Sequence, residues 1–161
     1  MTAPLAPYPP SGLLVARGWL QDGLAQDGLG EVEALDALPA AITPAARTRG
    51  LVVARVVGGR PERDVPLRRT AVGVSCWVAP PVDGSQLVPH NAAELLATRV
   101  LALTYAAARR GVLVDLTRFG RYAPARVLTA VALGEPRRVD DDPASFGRLD
   151  VDISINWTTG A

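Results

Sequence analysis

The chain has 161 residues, 48% apolar and 20% charged, with a formal net charge of +1, and a chain of this length can bury roughly two thirds of its unfolded surface around one core. That balance excludes a disordered or fibrous protein, and the single cysteine, Cys76, excludes a scaffold built on intramolecular disulfides. All basic side chains are arginine, which codon bias in a GC-rich genome explains more simply than selection for a bidentate anion fork.

Residues 1–11 read as a Pro-rich, extended arm, and residues 12–161 as a single α+β domain. The amino terminus lacks the basic start and unbroken apolar run of a signal peptide, and no stretch reaches the ~18 apolar residues of a membrane span. Ser11 is placed to cap a first helix over 12–26, in which Leu13, Ala16, Leu20 and Leu24 recur at spacings of three and four. Trp19 flanks this stripe. Gly18 and Gly23 weaken the helix by up to about 1 kcal/mol each relative to alanine, so its stability has to come from packing.

After the breakers Pro39 and Pro44, the run Leu51-Val-Val-Ala-Arg-Val-Val57 is short, β-branched and closed by Gly58-Gly59, the signature of a first strand. Residues 60–69 carry Arg60, Glu62, Arg63, Asp64, Arg68 and Arg69 with two prolines and read as an exposed connection. Residues 70–78 alternate, with Val72, Val74, Cys76 and Val78 directed to the core. Asn91 with Glu94 three residues on predicts a capped helix over 92–110, buried along Leu96, Val100, Leu103 and Ala107 and ended by Arg109, Arg110 and Gly111. Residues 112–116 form a candidate short strand, 126–133 a further strand, and 134–143 a polar turn. The last strand is the clearest: Leu149, Val151, Ile153, Ile155 and Trp157 alternate with Asp150, Asp152, Ser154, Asn156 and Thr158. The expected architecture is α+β, a mainly antiparallel sheet of four to five strands with two principal helices packed on one face.

No catalytic constellation emerges. His90 is the sole histidine, and its place just before Asn91 fits a helix start better than a general base or metal ligand. Asp140-Asp141-Asp142 lacks the spacing and glycine of a calcium loop and reads as a solvated turn. Gly58-Gly59 opens no helix and has no Lys-Ser/Thr continuation, so it is a turn and not a phosphate cradle. The Arg-rich connection contains acids and no interleaved aromatics, which favours an acidic protein partner over nucleic acid. Cys76 lies between valines on an apolar face, where thiols pack and do not react. The expectation is a non-enzymatic chain with no metal and no cofactor.

Six segments, in their order, carry a family resemblance: the early helix with Trp19-Leu20, then Leu51-Val-Val-Ala-Arg-Val-Val-Gly-Gly59, the Arg-rich connection, Val72-Gly-Val-Ser-Cys-Trp77, Ala92-Ala-Glu-Leu-Leu96 opening the long helix, and Arg148-Leu-Asp-Val-Asp-Ile-Ser-Ile155 ending the fold. Over residues 13–157 the chain resembles the tail terminator (tail-to-head joining) family of long-tailed, siphovirus-like bacteriophages. The match is one of pattern and order, since none of the segments is a catalytic signature. The Pro-rich amino terminus and glycine-rich first helix fall outside what the family shares.

The resemblance implies a subunit of a homo-oligomeric, hexameric ring at the head-proximal end of the tail tube, assembled in the host cytoplasm and located in the virion neck. Its implied partners are further copies of itself, the major tail tube protein and a head-tail connector or neck protein, with DNA passing through the lumen without sequence-specific binding and no membrane involved. A ring uses heterologous contacts, for which charged loops can set the register. The candidate contacts are Arg60, Arg63, Arg68 and Arg69 against Asp140, Asp141 and Asp142. Alternatives are another head-to-tail connector or tail-completion protein and, from a different class, a small-ligand-binding or enzymatic α+β domain.

Overall fold

The computed structural model describes residues 6–60, 66–82, 87–140 and 145–160. In chain order the elements are α1 (Gly12–Gln26), β1 (Ala34–Leu35), α2 (Pro44–Arg49), β2 (Leu51–Arg60), β3 (Leu67–Val78), α3 (His90–Tyr105), β4 (Val112–Val114), β5 (Ala125–Ala132), β6 (Arg137–Val139) and β7 (Gly147–Thr159), with 3-10 turns at Ala107–Arg109 and Thr117–Phe119.

The strands form one curled sheet in the order β1-β2-β3-β7-β5-β4, with β6 also against β7. β5 pairs with residues 153–159 of β7 and β6 with residues 148–150, so β6 continues β5 along the same flank. All pairings are antiparallel except β1 with β2. The fold is α+β as expected, but the sheet has seven strands, not four to five. The two additions, at 34–35 and 137–139, are too short to show a period of their own. They exist because β2 and β7 offer main-chain groups beside them, a non-local cause.

Alternation along β3 and β7 directs Val72, Val74, Cys76 and Val78 and Leu149, Val151, Ile153, Ile155 and Trp157 to one face. Both principal helices cover that face: α1 through Val15, Ala16, Trp19, Leu20 and Leu24, and α3 through Ala93, Leu96, Ala97, Val100 and Leu103. Burying each such Val, Leu or Ile side chain contributes about 1.5–3 kcal/mol, so this layer holds the fold together. Ser11 caps α1 as its side chain predicts, its Oγ accepting from Leu14 N–H at 3.2 Å. Trp19 does not flank the stripe; it is wholly buried.

The glycines of α1 have a packing reason. A Cβ at Gly18 would lie 2.6 Å from Val114 Cγ1, and one at Gly23 would lie 2.7 Å from Leu103 Cδ1. Glycine at these positions lets α1 approach β4 and α3 closely.

The second principal helix differs from expectation at both ends. Pro89 occupies the cap position with no side-chain hydrogen bond, and α3 starts at His90, so Asn91 is inside the helix. It stops at Tyr105 because Ala106 is extended (φ −67°, ψ 117°), and Ala107 is exposed in the turn that follows. The cause is Arg109, drawn inward to α1 as described below. The connection at 60–69 is also shorter than expected: β2 runs to Arg60 and β3 begins at Leu67, with a bulge between Val56 and Gly58.

Candidate assembly interface

The described candidate contact residues, Arg60, Arg68, Arg69 and Asp140, divide between the two ends of β7. At one end, the register sets Arg68 of β3 opposite Trp157 and Arg69 opposite Asn156, and sets Arg126 of β5 opposite Thr158. Arg68 lies over the Trp157 ring, 5.2 Å from its centroid, and Arg69 Nε donates to Ser154 Oγ at 3.1 Å. Arg60 is registered directly opposite Arg69. Among the described residues of this end (56–60, 66–70, 121–127 and 155–160) there are five arginines and no acid. Arg63 lies outside the described residues.

At the other end, β6 sets Val139 opposite Arg148, and the exposed Asp140 follows it. Asp140 accepts a close ion pair from Arg138 and lies 3.9 Å from His90 Nε2. His90 Nδ1 is buried without a partner among the described residues. Asp141 and Asp142 lie outside the described residues. From Trp157 back to Arg148, a rise of ~3.3 Å per residue separates the ends by roughly 30 Å. The fold therefore does not bring Arg60, Arg68 and Arg69 together with Asp140 within one chain.

Between the ends, the face of the sheet turned away from the helices carries an ion-pair network that strand alternation assembles. Arg148 grips Asp150 through two hydrogen bonds of 2.9 Å, Arg55 reaches the same carboxylate at 3.6 Å, and Arg137 pairs with Asp152 at 2.6 Å. Arg148 also lies 4.7 Å from the centroid of Trp77, which meets Phe146 edge-on. A cleft of about 220 Å³ opens here, lined by Arg55, Val57, Gly73, Val74, Arg137, Asp150 and Asp152. Each charged group lining it is held by an opposite charge, so the cleft is electrostatically satisfied as it stands. This network went unrecognised in the sequence, although Asp150 and Asp152 on the polar side of an alternating strand were its visible half.

Among the described residues no three His, Cys, Asp or Glu side chains converge as a metal would require, and no helix is long and apolar enough to cross a membrane. Cys76 is fully buried, and burial, with a smaller contribution from Asp150, pushes its thiol pKa up, the reverse of what a nucleophile needs. A scan against protein-family models finds no match, and a search of curated proteins finds no significant relative.

Proposed function

We propose that the chain is a structural subunit of a ring that caps the head-proximal end of a phage tail tube, stops its polymerisation and joins the tail to the neck. The observation that supports this reading best is the placement of charge: among the described residues, arginines without acids gather at one end of the sheet and Asp140 stands at the other. A subunit joined to different neighbours above and below needs two unlike ends.

Direct pairing of Arg68 and Arg69 with Asp140 of a second copy requires the copies to meet end to end along β7. The arginine end is equally suited to an acidic surface of the tail tube or neck protein. The test is to mix the purified chain with the tube protein of its own genome and view the product by negative-stain microscopy, beside an Arg68→Glu/Arg69→Glu variant. Tube ends capped by the native chain and left bare by the variant support the reading; native chain that ignores tube ends defeats it.

A further inference from the structure

The sheet ends laterally in two unpaired strand margins. β1 covers β2 only at Val52 and Val53, and β4 covers β5 only from Ala125 to Val127, with one added bond from Gly111 N–H to Leu128 O. Among the described residues no strand pairs with the outer side of β2 from Ala54 onward, or with that of β5 from Thr129 onward.

The main-chain groups left open can be identified. Val52 N–H donates to Glu33 O, so strand alternation turns the groups of Ala54 and Val56 outward on β2. Leu133 N–H donates to Asp152 O, so those of Ala130 and Ala132 turn outward on β5. The exposed side chains nearby are apolar: Val56 and Val57 at 52% and 55%, and Val131 and Leu133 at 54% and 52%. Soluble chains guard such margins with lysine, proline or inward charge. The stretch 127–134, Val-Leu-Thr-Ala-Val-Ala-Leu-Gly, has neither a charge nor a proline.

We propose that the β5 margin of one copy pairs with the β2 margin of the next, so that the sheet runs on from subunit to subunit and closes the ring laterally. Strand direction argues for a second copy as the occupant. β2 is antiparallel to β3, β3 to β7 and β7 to β5, so β2 and β5 run in opposite directions. A second copy rotated about an axis along the strands brings the two margins together antiparallel, with no inversion. The pairing residues Ala54, Ala130 and Ala132 are small enough for close approach, and two outward residues on each strand close about four main-chain hydrogen bonds. The contact is heterologous, one margin meeting a different one, which is the type that closes rings. It leaves the charged ends free to face partners along the ring axis. The inference deepens the ring reading and rests on it for the number of copies.

The test uses one substitution on each margin, Val56→Lys and Val131→Lys, both at exposed side chains, with folding verified by thermal melts. Sedimentation should show the native chain assembled and each variant monomeric. An equimolar mixture of the two variants should give dimers and nothing larger, since each supplies the margin that the other lacks. Ala132→Pro, which removes an outward N–H with no partner among the described residues, should also give monomers.

A native chain that stays monomeric throughout, variants that assemble like it, or a mixture that returns only monomers overturns the proposal. Rings that survive every margin substitution and still cap tubes remove this contact but keep the terminator reading. Margin-dependent rings that ignore tubes do the reverse.

Discussion

At the scale of single residues, Arg109 is the side chain whose role differs most from its sequence context. Two arginines at a helix end read as dipole partners in solvent, yet Arg109 is only 3% exposed. It donates to Trp19 O in a close contact and to Gln26 Oε1 at 3.2 Å, while Trp19 Nε1 donates to Arg109 O at 3.3 Å. Burial lowers its pKa, an effect that Asp22 opposes. Arg109→Ala should cost about 2–4 kcal/mol, because buried acceptors lose their donor and a cavity opens, and Arg109→Lys should restore little because an ammonium lacks the planar fork. Urea denaturation measures both, and a loss under about 1 kcal/mol for the alanine variant would refute the stapling role. Cys76 gives a pH dependence of definite sign. Its folded pKa is raised by burial, so the folded state holds a proton that the unfolded chain releases above about pH 8.5. The thiol's contribution is complete below that pH and is lost as pH rises, with a slope approaching about 1.4 kcal/mol per pH unit. Cys76→Ala should lack this slope, so that the difference between the two stability–pH curves displays it. The same burial should leave the native thiol unreactive toward a disulfide reagent until the protein unfolds.

At the scale of elements, α1 shows packing outweighing propensity. Alanine at Gly18 or Gly23 gains up to about 1 kcal/mol of helix propensity. It also places a methyl carbon 2.6 or 2.7 Å from a core side chain, and overpacking of this kind costs about 1–3 kcal/mol. Both substitutions should therefore lower the melting temperature, and a rise for either would mean that the neighbouring side chains yield freely. The start of α1 and its buried stripe were legible because its Ser11 cap and apolar spacing are local features. The end of α3 was not, since the signal that stops it, the capture of Arg109 by Trp19, comes from a segment 90 residues away.

At the scale of the whole molecule, net charge conceals a division. The chain is nearly neutral, yet its arginine end and its aspartate end lie roughly 30 Å apart by strand rise, about three Debye lengths at 0.1 M salt. Contact between such ends and their partners should weaken as salt rises, whereas pairing along the β2 and β5 margins, made of main-chain bonds and apolar side chains, should not. Sedimentation of the native chain over a salt series distinguishes the two: rings that dissolve in high salt would place the lateral contact on charges and not on strand margins. The two charged segments, around 60–69 and 140–142, were legible in the sequence. Their opposite placement was not, because it depends on β3 and β6 pairing with the two ends of β7.

What the sequence determined by itself is what a repeat of two or of three to four residues can encode. The start of α1, the inward face of β3 with Cys76 upon it and the long alternation of β7 follow from residues close along the chain, each pointing to one surface. Only the tertiary structure decided which segments become partners. It recruited β1 and β6 as strands, buried Arg109, matched Gly18 and Gly23 to their neighbours, joined Arg55, Arg137 and Arg148 to Asp150 and Asp152, and left the outer sides of β2 and β5 open. Each of these depends on which main-chain or side-chain groups a distant segment offers, and that choice is made by packing and not by local period.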